Sequence, residues 1–223
     1  MKKSISHPQQ IIALLLLTYY LTGNQIQAQD DTTHYVLSEF MVGTVKLKDG
    51  RTDSAWMDYN KLTEEMIFEK DGVMLALDSL ETIDTVTIDS RIFVPHQKVF
   101  YELLVKGPVS LFVQHKCNLL IAGNPSGYGG TTETGASRNI NFLANSGRAY
   151  KLVLPSDYHV TDATQHWIRM NNKFYKANTS SQIAKVFPDK GKEIKQFIKE
   201  NKLDLKKSDD MIKLIVKCNE FVH

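Results

Sequence analysis

The segment 100–114, "FYELLVKGPVSLFVQ", is the most apolar part of the chain after its first 28 residues. Lys106, Gly107 and Pro108 divide it into two apolar runs, and Gly and Pro are the residues that most often mark turns. Each run has the length of an ordinary strand. We therefore expect a hairpin here, and its apolar composition places it at the centre of the core.

Two Asp-Gly pairs predict tight hairpin turns upstream of this segment. Asp49-Gly50 lies between two alternating runs, and Asp71-Gly72 lies between two more. Both residues of such a pair tolerate positive φ, which matches the turn to the twist of its strands. In 43–48 apolar and polar residues alternate, which is typical of a strand with one buried face.

Further short strands are predicted on both sides of the central hairpin. The runs 166–170 and 173–177 are joined by Asn171-Asn172, and because Asn tolerates the left-handed backbone they form a third short-turn hairpin. The other predicted strands are 82–88, 91–94, 99–105, 109–116 and 148–154.

The pattern becomes helical at Asn178, and Ser208 is a plausible N-cap for the last of three helices. Strands followed by helices indicate an α+β fold, an antiparallel sheet or sandwich-like domain with a small helical C-terminal cap. The predicted organisation is a signal peptide at 1–28, a β-rich domain at 29–177 and an amphipathic helical segment at 178–223. The three apolar helix faces are Ile183, Val186 and Phe187; Ile194, Phe197 and Ile198; and Met211, Leu214, Ile215, Cys218 and Val222.

The N-terminus predicts export. Lys2 and Lys3 precede an apolar run at 11–21, and a cleavage region ends at Ala28. The run is shorter than the roughly 20 residues that cross a bilayer, so we expect a cleaved peptide, a periplasmic or secreted protein and no transmembrane anchor. Cleavage removes two of 27 basic residues and none of 25 acidic ones, leaving 25 of each. Such a balance argues against nucleic acid as a partner.

The segment 122–137, "AGNPSGYGGTTETGAS", opens a glycine-rich loop predicted at 122–147. It lacks the lysine of a Walker loop and the third glycine of a dinucleotide fingerprint. We therefore interpret it as a lid or partner-contact loop, with Tyr128, Gly129 and Gly130 as candidate contact residues. Long loops of this kind often carry function.

No local pattern predicts catalysis, a metal site or a cofactor. The sequence contains no H-E-x-x-H, C-x-x-C or G-x-S-x-G motif. The only cysteines are Cys117 and Cys218. Two interpretations stay open for them, a disulfide joining the last helix to the β-rich domain, or two buried thiols.

Several stretches together resemble a group of exported proteins of Gram-negative bacteria. They are the cleavage region before Gln29, "GTVKLKDG" with "DYN", "FYELLVKGPVSLF", and the tail "KGKEIKQFIKENKLDLKKSDDMIKLI". The resemblance implies export and a β-rich domain followed by a lysine-rich helical segment. It implies no activity and no site residues.

Three hypotheses for function follow. The first is a non-catalytic envelope module that binds a partner protein or a surface component. The second is a small-molecule binder for lipid or glycan, with Tyr128, Trp167 and Tyr175 as wall residues. The third is a hydrolase whose residues are scattered along the sequence.

Overall fold

A computed structural model describes residues 34–121, 152 and 158–222. The predicted signal peptide, the glycine-rich loop with Tyr128, Gly129 and Gly130, and most of the predicted strand 148–154 lie outside the described residues.

The described residues form strands first and helices second, so the α+β prediction is confirmed. The helices are α1 (Ser180–Val186), α2 (Gly191–Glu200) and α3 (Ser208–Asn219), and a short 3-10 helix spans Leu80–Thr82. The strands are β1 (Met41–Leu47), β2 (Thr52–Asn60), β3 (Glu65–Lys70), β4 (Val73–Ala76), β5 (Ile83–Ile88), β6 (Arg91–His96), β7 (Val99–Val105), β8 (Val109–Gln114), β9 (Cys117–Ile121), β10 (Tyr158–Asp162), β11 (Gln165–Met170) and β12 (Lys173–Lys176).

Ten strands pair antiparallel in one sheet, in the order β12-β11-β8-β7-β6-β5-β1-β2-β3-β4, while β9 and β10 pair separately. The predicted central hairpin is confirmed as β7 and β8. The sheet curls, because β3 contacts β7 although four strands separate them in the sheet order. This curl gives the β1–β7 region a concave inner face.

Two of the three predicted hairpin turns have the expected backbone. Asp71 and Gly72 have φ of 52° and 75°, and Asn171 and Asn172 have φ of 52° and 59°. Positive φ at both central residues is the condition for a tight two-residue hairpin. At the first hairpin only Gly50 has positive φ, at 91°, because the connection from β1 to β2 is four residues long.

The inner face of the sheet carries two hydrophobic clusters. Residues directly opposite in an antiparallel pair share a face, so the row Val45, Val86, Phe93, Glu102, Val113 and His166 lies on this face. One cluster fills the curled region around Met57, Tyr59 and Phe100. The other lies between the helices and Val109, Leu111 and Ile168.

The helices pack on the sheet by means of specific polar contacts. Asn219 of α3 accepts a hydrogen bond from the Val109 N–H at 2.9 Å and donates one to the Val109 carbonyl at 2.9 Å. Ser208 does not cap α3, so that prediction is wrong. It is the first helical residue, and its hydroxyl lies 3.2 Å from Nε2 of His166.

No helix among the described residues combines the length and the apolar character needed to cross a bilayer.

Candidate functional site

The concave side of strands β1 to β5 encloses a cavity of about 700 Å³. This volume lies within the range of about 300–1,000 Å³ that is typical of small-molecule sites. The register explains the apolar lining, because Met57, Phe68 and Leu75 lie opposite one another across three strands. Nine apolar residues line the cavity: Val45, Leu47, Ala55, Trp56, Met57, Phe68, Leu75, Leu77 and Ile83.

The floor and the walls of this apolar cavity differ in exposure. Val45, Met57 and Ile83 are buried and form its floor. Phe68 and Leu75 are only half-buried, so the walls present apolar surface to water. Covering such surface is favourable by about 25 cal/mol for each Å² removed from water. The cavity is therefore chemically suited to an apolar molecule.

Gly43 controls the position of the floor residue Met57. A Cβ atom at Gly43 would lie 2.5 Å from the Met57 sulfur and 2.9 Å from Cγ1 of Ile88. Only glycine lets the Met57 side chain pass this close to β1. Methionine is unbranched and adapts to irregular space, which suits a residue that lines a cavity.

The rim of the apolar cavity is polar and charged. Asp53, Lys70, Asp78 and Thr82 line it and are all exposed. Backbone N–H groups of the following residues donate to the Asp53 and Asp78 carboxylates at 2.9 Å and 2.6 Å. Within the described ranges, no salt bridge involves Asp53, Lys70 or Asp78.

A second cavity of about 460 Å³ adjoins the first, and the two share Leu77 and Asp78 as lining residues. This acidic cavity is mostly polar. Its charged lining residues are Glu64, Glu65, Asp78, Glu81 and Lys98. One apolar and one acidic cavity therefore lie side by side along the connection from β4 to β5.

A charged network of Arg91, Glu102 and His115 links β6, β7 and the residue after β8. Arg91 donates two hydrogen bonds to the Glu102 carboxylate, at 2.8 Å and 2.7 Å. The His115 ring nitrogen Nε2 lies 2.5 Å from the same carboxylate. Burial alone would raise the pKa of Glu102, but the hydrogen bonds and charges of His115 and Arg91 lower it to about 2. Glu102 is therefore a stable anion, which suits a structural ion pair better than a general base.

Asp58 is a second buried acid, only 1% exposed. Its carboxylate accepts hydrogen bonds from the backbone N–H groups of Leu37 at 3.1 Å and Tyr59 at 2.6 Å. Burial raises its pKa to about 6, although these donors and the charge of Arg91 act in the opposite direction. Asp58 thus fixes the segment before β1 onto β2.

In the described part of the chain, no group of three or more His, Cys, Asp or Glu residues is arranged to hold a metal ion.

The predicted wall residues Trp167 and Tyr175 lie on opposite faces of the sheet. Trp167 pairs with Lys176, whereas Tyr175 pairs with Ile168. Tyr175 packs into the cluster beneath the helices. Trp167 stacks on Tyr101 at 5.6 Å on the other face. The two side chains therefore do not line one common surface.

The candidate disulfide is not formed, because Cys117 and Cys218 are both free and buried. Cys218 precedes Asn219, which binds Val109 at one end of β8, while Cys117 follows the other end. Five residue steps along β8 span roughly 16 Å at a strand rise of ~3.3 Å. A disulfide needs Cα atoms within about 7 Å. The interpretation of two buried thiols is the one that the structure supports.

Sequence reasoning missed both cavities, although part of their signal was present. The alternation in 43–48 correctly assigns Val45 and Leu47 to the buried face, but a buried face does not distinguish a filled core from a cavity. The acidic cavity gathers residues from Thr63 to Phe100, and no local motif marks that combination.

Comparison with known proteins gives no family and no homologue for this chain. No protein-family model matches it, and neither a curated protein nor a solved structure matches it. The geometry of the two cavities is therefore the basis for proposing a function.

Proposed function

We propose that this chain is a non-catalytic, exported binding protein that holds a small apolar molecule in the cavity lined by β1 to β5. Export comes from the sequence of the first 28 residues and is part of the proposal. The single observation that carries the binding function is the half-open cavity of about 700 Å³ with nine apolar lining residues. Among the three sequence-based hypotheses, this observation favours the small-molecule binder.

The half-buried walls Phe68 and Leu75 determine which ligands the apolar cavity favours. An apolar ligand gains about 0.8 kcal/mol for each CH₂ group that it buries. The cavity exists before the ligand arrives, so binding requires little ordering of the chain, and ordering is a main cost of association. Such a site favours apolar ligands over strongly hydrated ones.

The test is a titration with the neutral fluorescent probe N-phenyl-1-naphthylamine, whose emission rises in apolar surroundings. Ala55→Phe places a ring in the cavity, and we expect it to weaken probe binding at least about tenfold, the equivalent of ~1.4 kcal/mol. Thr44→Phe is the matched control, because exposed Thr44 points to the opposite face of β1. It should bind the probe as the wild type does.

Two results would refute the proposal: no probe binding to the wild type, or equal binding by both variants. Leu75→Trp, a second cavity-filling change on another strand, guards against local misfolding of the Ala55 variant. Native mass spectrometry of gently purified protein gives an independent readout, since a bound ligand adds a defined mass that Ala55→Phe should lose.

A second function, the binding of an envelope partner protein, is proposed from one surface observation. Val42 and Trp56 lie opposite each other on β1 and β2 and are 57% and 55% exposed. Contiguous exposed apolar surface, unlike isolated apolar side chains, is typical of interaction sites. Crosslinking in solubilised envelope should give an adduct that Trp56→Lys loses and Thr52→Lys, on the same strand, retains. An adduct unchanged by Trp56→Lys would contradict this function.

A further inference from the structure

Four exposed lysines follow one another along the solvent-facing side of α2. Lys192, Lys195 and Lys199 are spaced three and four residues apart, which places them on one side of a helix. Lys202 follows in the turn that ends the helix, where its N–H donates to the Lys199 carbonyl at 3.2 Å. All four residues are exposed. We call this set the lysine stripe.

The other side of α2 fixes the direction in which the lysine stripe faces. Ile194 is buried, and Phe197 and Ile198 are half-buried in the hydrophobic cluster beneath the helices. These three side chains hold the helix against the rest of the protein. The ammonium groups of the stripe are therefore directed into water.

Acidic neighbours do not neutralise the lysine stripe. The two acids of α2 have other partners, because Glu193 pairs with Lys190 at 2.8 Å and Glu200 accepts a hydrogen bond from Gln196 at 2.7 Å. Within the described ranges, no salt bridge involves any residue of the stripe. The helical segment 178–223 as a whole has ten lysines and seven acids. Its surface thus has an excess of positive charge although the chain after residue 28 is balanced.

The lysine stripe opposes the stability of the helix that contains it. Like charges three or four residues apart destabilise a helix, and the stripe contains three such pairs in succession. Lys192 also lies in the first turn, where the helix dipole disfavours a positive charge. The stability of α2 therefore does not explain the stripe, whereas an anionic partner would relieve its repulsion.

We propose that the lysine stripe binds the anionic head groups of a lipid bilayer surface. Lys192 and Lys202 are ten residue steps apart, roughly 15 Å at a helical rise of ~1.5 Å, so one surface can meet all four ammonium groups together. Lysine is a flexible point charge without a fixed donor geometry, which suits mobile head groups. Each lysine close to an anionic leaflet strengthens binding about fivefold. This inference goes beyond the proposed ligand-binding function and depends on neither cavity.

The test is sedimentation of the whole protein with lipid vesicles at low salt. Vesicles of equal parts phosphatidylcholine and phosphatidylglycerol supply the anionic surface, and pure phosphatidylcholine vesicles are the neutral reference. We expect the partition coefficient to be at least about tenfold larger for the anionic vesicles. Raising NaCl to ~1 M should abolish this difference, because salt screens exposed charges.

A stripe variant removes the four charges and keeps the helix. Gln and Lys have similar helix propensities, so the variant should fold, which circular dichroism checks. Its partition coefficient for the anionic vesicles should fall at least about tenfold. The four substitutions are Lys192→Gln, Lys195→Gln, Lys199→Gln and Lys202→Gln.

The matched control removes four exposed lysines from the strand-forming part of the chain. It has the same net charge as the stripe variant, so it separates the position of the charges from their number. We expect it to bind the anionic vesicles within about twofold of the wild type. Its substitutions are Lys48→Gln, Lys70→Gln, Lys98→Gln and Lys173→Gln.

Four results would overturn the inference. Equal partitioning onto the two kinds of vesicle, or binding that survives high salt, would exclude an electrostatic lipid contact. An equal loss in the stripe variant and the control would show that the stripe is not the binding surface. Binding to poly-L-glutamate beads but not to the anionic vesicles would identify an acidic protein as the partner. The fluorescent-probe titration is independent of all four results, so failure of the proposed ligand-binding function is distinguished from failure of this inference.

Discussion

Asp58→Asn tests whether the protein carries a buried acid whose ionisation opposes folding. The carboxylate is 1% exposed and accepts two backbone hydrogen bonds through one oxygen, Oδ1. An Asn side chain keeps that oxygen as an acceptor and carries no charge. The substitution therefore imitates the protonated carboxyl at every pH.

The magnitude follows from the pKa. Burial raises the pKa of Asp58 from 3.8 to about 6. A shift of about two units corresponds to roughly 3 kcal/mol between the two protonation states. The folded state holds the proton more tightly, so wild-type stability falls as pH rises from about 4 to about 6. Above that window the variant should be more stable than the wild type, by at most roughly 3 kcal/mol.

Urea unfolding of both proteins at pH 4 and at pH 7.5 measures this effect. The difference in unfolding free energy between variant and wild type should grow by about 2–3 kcal/mol from the lower to the higher pH. Other titrating groups are common to both proteins and cancel in the difference. Asp84→Asn, at an exposed ion pair, should change stability by at most about 1 kcal/mol. A difference for Asp58→Asn that does not depend on pH would refute the reasoning.

Three further predictions use the same structure. Glu102→Gln should destabilise the protein at pH 7 by on the order of 3 kcal/mol in urea unfolding, because the pKa of Glu102 is about 2 in the fold. The Glu102 contribution is present above pH 4.5 and is lost as pH falls toward 2, so an unchanged midpoint at pH 7 would contradict it. Gly43→Ala should lower the thermal midpoint and weaken probe binding, because the added Cβ displaces Met57 at a cost of about 1–3 kcal/mol. Normal probe affinity would show that the position of Met57 does not determine the shape of the apolar cavity. Burial raises the pKa of Cys117 to about 11 and of Cys218 to about 12. A maleimide should therefore label both thiols only in denaturant, which mass spectrometry measures. Labelling of the native protein would count against their burial.

Much of the sheet could be predicted from local signals. The same signals also show that Trp167 and Tyr175 cannot line one surface. Asn171-Asn172 predicts a two-residue turn, and such a turn pairs Met170 with Lys173. Counting outward from that pair places Trp167 and Tyr175 on opposite faces, as found. The two-residue turn at Asn171-Asn172 therefore already excludes a ligand wall shared by Trp167 and Tyr175.

The cavities and the buried acids could not be predicted in the same way. The concave shape depends on β3 reaching β7, a contact between strands that are distant in sequence. Glu102 was visible as a lone acid in the apolar run "FYELLV", which hinted at a buried ion pair. Its partners Arg91 and His115 come from two other parts of the chain, so only the pairing of β6, β7 and β8 identifies them.

The order of the ten described strands has a consequence for how the sheet meets other molecules at its ends. A sheet that does not close leaves an edge strand at each end, and unpaired edge backbone is a template for aggregation. Among the described strands the edges are β4 and β12, each only four residues long. Strand β12 begins and ends with exposed lysines, Lys173 and Lys176, and α1 packs beside it. Short edge strands, one of which carries lysines, disfavour edge-to-edge pairing of this wide curved sheet with other chains.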